Sequence, residues 1–162
     1  RQRQMCIRDR VMECLNYSKA GSTEDIKNEI DRMVREEKLS LKQAECIKLK
    51  DIDTFAGSSI GERIKRAYAY GGVKREQPFV FEYDRQLVQG VIDLYFIEDG
   101  QLVIVDYKTD RVLRGRAGED ELRRRYSIQL DYYAMALSQI TGLKVKEKVI
   151  YSFALGRSLT VE

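Results

Sequence analysis

Two apolar segments joined by Glu98-Asp99-Gly100 constrain the fold of this 162-residue chain more than any other feature. Residues 86–97 and 101–107 are rich in Val, Ile, Leu, Tyr and Phe, and an Asp-Gly pair between two such segments is a strong signal for a tight β-hairpin. Both segments have apolar residues at successive positions, which is typical of strands that are buried on both faces. The sequence therefore predicts a central hairpin in a sheet that helices cover.

The segments before this hairpin predict helices and then one more strand. Capping-box patterns that begin at Ser22 and Ser40, and a serine pair at 58–59, mark the expected starts of three helices. Residues 73–84 contain the only proline, Pro78, which favours a strand at the sheet edge or with a bulge. The helices are expected to form a structural layer with no direct part in catalysis.

The segments after the hairpin complete a mixed α/β (α+β) domain. A polar loop is expected from residue 109 to about 120, then a helix to about residue 141, and a last strand over residues 144–155. This order predicts a mixed sheet of about four strands flanked by helices. The length and an apolar content of 43% fit a single domain with one core.

The available residue types limit the chemistry. The chain has no histidine, so catalysis would depend on carboxylates, lysine, tyrosine or a metal held by oxygen ligands. The three cysteines, Cys6, Cys14 and Cys46, form no Cys-x-x-Cys pair and predict reduced thiols in a cytoplasmic protein. No apolar segment is long enough to cross a bilayer. The net charge of +3 neither requires nor excludes binding to nucleic acid.

The hairpin brings charged side chains together. With a two-residue loop at Asp99-Gly100, counting back along both strands places Asp93 opposite Asp106, and such pairs have Cβ atoms about 4.5–5.5 Å apart. Lys108 lies two residues beyond Asp106 and so projects from the same face. Two close, buried carboxylates repel one another, and a divalent cation such as Mg²⁺ would relieve that repulsion. An ion pair between Lys108 and one aspartate is the structural alternative.

Several motifs around these residues resemble the PD-(D/E)XK nuclease superfamily, in particular its RecB-like branch. They are Gly90-Val-Ile-Asp93, Val105-Asp-Tyr-Lys-Thr-Asp110 and Gln129-Leu-Asp-Tyr-Tyr133. Arg75-Glu-Gln-Pro-Phe79 and Arg125-Tyr-Ser-Ile-Gln-Leu130 are similar to the nuclease domains of AddA-type helicase–nuclease subunits. The resemblance implies a restriction-endonuclease-like core over residues 11–162.

The resemblance also implies a metal-dependent active site. Asp93 and Asp106 would ligate Mg²⁺, with Mn²⁺ as a substitute, and the backbone carbonyl of Tyr107 would add a ligand. Lys108 would act on the attacking water. Glu76, on the preceding strand, is a further candidate, although a surface pair with a neighbouring arginine or lysine is the alternative for it.

The Gln-x-x-x-Tyr signature of the RecB-like branch corresponds to Gln129 and Tyr133. Their i,i+4 spacing puts both side chains on one helical face. From there they would take part in catalysis by orienting Lys108 or by contacting DNA. In the structural alternative, the helix packs through Tyr133 and Gln129 is its polar edge.

One motif of the branch, a first-helix Gly-Thr followed by a metal-binding histidine, has no counterpart here. The histidine would fall near Asp9, and Val11-Met-Glu-Cys-Leu15 is similar to the stretch that follows it. Residues 1–10 do not resemble the motif. We therefore expect these ten residues to be a non-native leader or a diverged segment.

Six arginines that follow the hairpin predict contacts with DNA phosphates. They are Arg111, Arg114, Arg116, Arg123, Arg124 and Arg125. We take Arg111, Arg114 and Arg124 as the DNA-binding candidates. Because acidic residues at 119–121 interrupt the series, a solvated loop is the alternative.

The function implied by the resemblance is that of a Mg²⁺-dependent deoxyribonuclease. It would be the exonuclease of an AddAB-type helicase–nuclease in double-strand break repair and recombination. Its partners would be DNA, an AddB-like subunit and the helicase part of its own parent chain. ATP hydrolysis would belong to that helicase part, because no phosphate-binding Gly-x-x-x-x-Gly-Lys-Ser/Thr loop occurs here. The alternatives are an inactive nuclease-fold module that binds DNA or a partner, and a small-molecule phosphohydrolase.

Overall fold

The computed structural model describes the backbone of residues 2–162 and the side chains of residues 7–162, and these residues form two compact units that divide between residues 69 and 70. The first unit is helical. Its elements are α1 (Gln2–Cys14), a 3-10 turn (Tyr17–Lys19), α2 (Thr23–Arg35), α3 (Leu41–Glu45), α4 (Leu49–Ala56) and α5 (Ser59–Ala69). The expected leader lies partly outside the described residues, and helix α1 continues through residue 10 without a break.

The three predicted helix starts are confirmed. The hydroxyl of Ser22 accepts a hydrogen bond from the Asp25 N–H at 3.1 Å. Ser40 forms a complete capping box with its partner three residues later, and the Ser58 hydroxyl accepts from the Gly61 N–H at 3.2 Å. Helix α4 was not predicted, because Lys48 precedes it and makes no side-chain cap. A helix without a capping residue carries a weaker signal in the sequence.

A buried carboxylate connects helix α2 to the segment that follows α1. Glu29 is 3% exposed, and it accepts hydrogen bonds from the Asn16 N–H at 2.9 Å and from Arg32 at 2.7 Å. Arg32 also donates to the carbonyl of Cys14 at 2.9 Å. The charge on Glu29 is therefore paired and hydrogen-bonded, as buried charges in stable proteins are.

The second unit is a five-stranded mixed sheet with one long helix. Its elements are β1 (Val73–Tyr83), β2 (Gln86–Glu98), β3 (Gln101–Lys108), α6 (Arg116–Thr141), β4 (Val145–Ser152) and β5 (Arg157–Val161). The strand order is β1-β2-β3-β4-β5. Only the β3–β4 pair is parallel, and α6 is the crossover that a parallel pair requires. The predicted mixed α/β class and the edge position of β1 are confirmed.

Two boundaries differ from the prediction. The expected last strand is a hairpin: β4 ends at Ser152 and the chain reverses through Gly156, whose φ is 65°. Residues in this turn, Phe153 among them, are apolar, so the sequence pattern predicts one continuous strand. Helix α6 begins at Arg116 rather than near residue 120, because its N-cap, Gly115, makes no side-chain cap that would mark the start.

Helix α6 packs on one face of the sheet. The buried residues of this core come from the helix and all five strands: Phe79, Phe81, Ile92, Tyr95, Leu102, Ile104, Leu122, Leu130, Tyr133, Ala136, Leu137, Ile150, Leu159 and Val161. Leu94, Phe96, Val103 and Val105 alternate with core residues and are also buried. Strand β3 and the central part of β2, Ile92–Phe96, are therefore buried on both faces, whereas residues 86–91 of β2, which were also predicted to be buried, are largely exposed, with Leu87 at 70% and Val91 at 45%. No helix in the described part of the chain is long and apolar enough to span a membrane.

Candidate active site

The β2–β3 hairpin has the predicted two-residue turn. Asp99 and Gly100 both have positive φ, 53° and 73°, as a type I′ turn requires. Backbone pairing runs from the turn to Leu94↔Val105 and ends there. The same register places Asp93 opposite Asp106 at the next position, where the ladder has already ended. The two aspartates therefore lie where the central strands separate.

The separation of the strands frees a backbone N–H for a side chain. The Tyr107 N–H donates to Oδ2 of Asp93 at 2.8 Å instead of to a backbone carbonyl of β2. One residue later, the carbonyl of Lys108 accepts from the Phe153 N–H on the opposite side of the strand at 2.9 Å. Because successive peptide groups alternate along a strand, the Tyr107 carbonyl lies on the side of Asp93. This carbonyl and the Asp93 carboxylate thus lie on the same side of β3.

Asp106 is a buried acid in an environment suited to a cation. It is 2% exposed, and its Oδ2 lies 2.7 Å from Nζ of Lys108. Within the described residues, this oxygen has no hydrogen bond of acceptable geometry. Burial raises the pKa of Asp106, the charge of Lys108 and a hydrogen bond with the Asp93 carboxyl oppose that rise, and the charge of Asp110 adds to it.

The donor set around Asp106 fits a hard divalent cation. It consists of the carboxylates of Asp93 and Asp106 and the carbonyl of Tyr107, and Mg²⁺ commonly binds through one or two carboxylates together with water and substrate phosphate. Among the side chains of residues 7–162, no group of three or more His, Cys, Asp or Glu residues forms a ready metal cluster. A cation here would therefore depend on solvent or substrate for its remaining ligands.

Glu76 lies on β1, at the position that faces Asp93 of β2. Its neighbours pair as Arg75↔Leu94 and Gln77↔Ile92, and Glu76 itself has a φ of 50°, which is uncommon for a residue other than glycine. The charge of Glu76 contributes to a raised pKa of the Tyr133 phenol. The register and this charge interaction place Glu76 opposite Asp93 and near Tyr133.

Helix α6 contributes a chain of hydrogen bonds to the lysine. Nζ of Lys108 donates to Oε1 of Gln129 at 3.1 Å, and Nε2 of Gln129 donates to the Tyr133 hydroxyl at 2.8 Å. Burial and then the charges of Asp106 and Asp93 raise the pKa of Tyr133, so its hydroxyl is neutral at physiological pH. The structure therefore brings the Gln-x-x-x-Tyr pair to the two aspartates and the lysine.

One further contact of the lysine was missed from the sequence. The ring centroid of Tyr126 lies 4.1 Å from Nζ of Lys108, and the Tyr126 hydroxyl donates to Oδ2 of Asp110 at 2.9 Å. Tyr126 precedes Gln129 by three residues, so it shares the helical face of the Gln-x-x-x-Tyr pair. That spacing is the sequence signal by which it could have been found.

A buried glycine holds helix α6 close to the loop that follows Lys108. A Cβ atom on Gly118 would lie 1.8 Å from the carbonyl oxygen of Leu113, which is far inside van der Waals contact. Only glycine therefore allows this approach of the first helical turn to the loop backbone. The contact fixes the loop between β3 and α6, which begins directly after Lys108.

The six arginines separate into two groups. Arg116, Arg123 and Arg125 form ion pairs with acids on α6 or in the preceding loop. The three DNA-binding candidates, Arg111, Arg114 and Arg124, are exposed and form no ion pair within the described part of the chain. The acidic residues that interrupt the series thus neutralise the other three arginines.

Comparison with known proteins agrees with this arrangement of strands and motifs. Residues 10–159 match the family model of the PD-(D/E)XK nuclease superfamily. The chain is 35% identical over 159 residues to the A subunit of the ATP-dependent helicase/nuclease of Clostridium novyi, covering 88% of this chain and 12% of that protein. It is 40% identical over 164 residues to the corresponding A subunit of a Thermoanaerobacter species, covering 92% and 13%.

A third relative, the A subunit of the ATP-dependent helicase/nuclease of Acetivibrio thermocellus, is 39% identical over 165 residues, with 92% of this chain and 12% of that protein covered. The chain thus spans only about an eighth of the length of these relatives. The match over nearly its whole length shows that the chain belongs to the PD-(D/E)XK nuclease superfamily and is related to the helicase/nuclease A subunits.

Proposed function

We propose that this domain is a metal-dependent deoxyribonuclease that hydrolyses phosphodiester bonds at the Asp93–Asp106–Lys108 cluster. The observation that carries the proposal is the buried Asp106 carboxylate, held 2.7 Å from the Lys108 ammonium beside a second carboxylate. A purely structural pair in this position would leave two acids close together in an apolar sheet at a cost. A site that binds a cation and a phosphate uses both acids and the lysine.

The roles of the chain's own groups follow from their positions. Asp93, Asp106 and the carbonyl of Tyr107 would hold Mg²⁺ or Mn²⁺. When bound, the metal would polarise the scissile phosphate and lower the pKa of the attacking water. Lys108 can donate a hydrogen bond to that water or to a phosphate oxygen, where it offsets the negative charge that develops during the reaction. Gln129 orients the Lys108 ammonium, and Tyr133 orients Gln129 in turn.

The substrate in this proposal is DNA, approached through its backbone. The exposed side chains of Arg111, Arg114 and Arg124 can contact phosphates, which gives affinity without sequence preference. We further propose that the domain is the exonuclease of an AddAB-type helicase–nuclease in double-strand break repair and recombination in the bacterial cytoplasm. Its partners would be an AddB-like subunit and the helicase part of its own parent chain.

A second candidate is an inactive nuclease-fold module that binds DNA or a partner protein. The observation that favours it is the absence of histidine from the chain, since the RecB-like branch places a metal-binding histidine on its first helix. The two candidates share the fold and the basic surface. They differ in whether a phosphodiester bond is broken.

Incubation of the 162-residue protein with end-labelled linear DNA and with circular DNA separates the candidates. Each kind of DNA is tested in single- and double-stranded form. We expect products from linear DNA with Mg²⁺ or Mn²⁺, no products with EDTA, and little cutting of circles. DNA binding without cutting under every metal condition supports the inactive module. Cutting that is equally fast in EDTA contradicts the metal-dependent mechanism.

A further inference from the structure

Tyr126 makes a contact with the active-site lysine that the proposed mechanism does not use. We propose that Tyr126 is a positioning residue: its ring fixes the Lys108 ammonium beside Asp106, and Asp110 in turn fixes the ring. This inference rests on the proposed function, because it concerns the lysine of the nuclease site. It adds a second positioning group to the one that Gln129 supplies.

The Lys108 ammonium is held from three sides. Oδ2 of Asp106 lies at 2.7 Å and Oε1 of Gln129 at 3.1 Å. The Tyr126 ring centroid lies at 4.1 Å, well within the distance of about 6 Å for a cation–π interaction. A lysine side chain is flexible and its ammonium has no preferred orientation. The two polar contacts alone leave one side open, and the ring closes it.

The ring itself is anchored by a charged network. The Tyr126 hydroxyl donates to Oδ2 of Asp110 at 2.9 Å, and Nη1 of Arg125 donates to Oδ1 of the same carboxylate at 2.9 Å. Arg125 is also paired with Glu121 one turn earlier on α6. Burial and Asp110 raise the pKa of the Tyr126 phenol, so it keeps the proton that it donates to Asp110.

This arrangement joins the β3 end of the site to helix α6. Asp110 lies two residues beyond Lys108 in the chain, and its carboxylate reaches the helix through both Tyr126 and Arg125. The lysine and the aspartate thus hold different parts of the same tyrosine, the ring face and the hydroxyl. A tyrosine that only filled space in the core would need neither contact.

Two substitutions at Tyr126 separate the ring from the hydroxyl. Tyr126→Leu removes the ring face and keeps apolar bulk, whereas Tyr126→Phe keeps the ring and loses the bond to Asp110. The matched control is Tyr132→Leu, on the same helix, whose ring contacts Phe81 and Tyr83 rather than the lysine. Melting temperatures of all three variants show whether each is folded.

Single-turnover cleavage of linear DNA with Mg²⁺ gives the first readout. We expect Tyr126→Leu to lower the maximal rate about tenfold, because the lysine is misplaced. The enzyme concentration that gives the half-maximal rate should change by less than about twofold, because the DNA-binding surface of the protein is intact. Phenylalanine should restore the rate to within about threefold of wild type because it keeps the cation–π contact. A leucine variant that cuts as fast as wild type, or a phenylalanine variant that is equally slow, overturns the proposal.

The second readout does not depend on activity. In protein labelled with ¹³C at the lysine ε-carbons, the Lys108 signal is assigned by its loss in Lys108→Arg. The ring current should shift this signal away from those of exposed lysines in wild type and Tyr126→Phe, but not in Tyr126→Leu. An unchanged signal in Tyr126→Leu overturns the proposal. If the wild-type protein cuts no DNA, the proposed function fails, while this measurement still tests whether the Tyr126 ring lies over the Lys108 ammonium, the contact on which positioning depends.

Discussion

Asp106 shows at the scale of one residue how function competes with stability. Its carboxylate is buried within an apolar sheet and lies next to a second acid, and burial raises its pKa. Lys108 supplies one compensating charge at 2.7 Å. The protein keeps a polar group in a position where an apolar pair would be more stable, and such positions are typical of functional sites.

Divalent metal should stabilise the folded protein through this residue. We expect millimolar Mg²⁺ or Mn²⁺ to raise the melting temperature by about 2–4 °C, because a cation that binds only the folded state shifts the unfolding equilibrium. Differential scanning fluorimetry with and without EDTA measures the shift. Asp106→Ala should abolish it, whereas Asp131→Ala, which removes a surface acid on α6, should not. A wild-type protein that is insensitive to both metals contradicts a formed metal site.

At the scale of secondary-structure elements, Glu29 stabilises the start of the helical unit in a pH-dependent way. Burial alone would raise its pKa, but hydrogen bonds from Arg32 and from the Asn16 N–H, with the Arg32 charge, lower the pKa below the ordinary value of 4.5. The stabilisation is therefore complete above about pH 4.5 and disappears as the pH falls through the lower value in the folded state.

Glu29→Gln should lower the free energy of unfolding by about 2 kcal/mol at pH 7, because it removes a charge-assisted hydrogen-bond acceptor from a buried position. Urea unfolding at about pH 7 and about pH 3.5 tests this, and the difference from wild type should shrink at the lower pH. The exposed Glu24 on the same helix provides the matched control, Glu24→Gln. Equal losses at both pH values would show that shape, not charge, is responsible.

The elements also show how much of the fold the sequence predicts. Local signals were sufficient where one residue type determines the conformation, as for the caps at Ser22 and Ser40 and the Asp99-Gly100 turn. Helix α4 and the start of α6 lack side-chain caps, so only packing defines them. The fifth strand was missed because the residues of its turn are apolar.

The candidate site was predicted in part. Strand register brought Asp93, Asp106 and Lys108 together from the sequence alone. No local sequence pattern predicts that the β2–β3 ladder ends before Asp93 or that Glu76 has a positive φ. Both are tertiary features. The contact between Tyr126 and Lys108 depends on how α6 crosses the sheet, so spacing could suggest it but could not establish it.

At the scale of the whole molecule, the charge is nearly balanced but unevenly paired. A net charge of +3 arises from 29 basic and 26 acidic residues. Ion pairs neutralise Arg116, Arg123 and Arg125 on the surface after the hairpin. The exposed Arg111, Arg114 and Arg124 give this surface its available positive charge, so non-specific DNA affinity should depend on them.

Replacing Arg111, Arg114 and Arg124 together by serine should weaken DNA binding at every sequence tested. The slope of log K against log salt concentration should become shallower by about two for single-stranded DNA, because each lost phosphate contact removes about 0.7 from the slope. Fluorescence anisotropy with a labelled oligonucleotide in EDTA gives the slope without cleavage. Arg123→Ser serves as the control, since its charge is already paired. An unchanged slope in the triple variant places the DNA elsewhere.

The Asp93–Asp106–Lys108 cluster is proposed to break phosphodiester bonds. The most direct measurement is the single-turnover rate of cleavage of end-labelled linear DNA, with saturating enzyme and Mg²⁺, for wild type, Asp106→Ala and Lys108→Ala. We predict cutting by wild type and a loss of at least about a hundredfold in both variants, because each removes a group that acts on the reacting atoms. Cutting that survives both substitutions at the wild-type rate would contradict it.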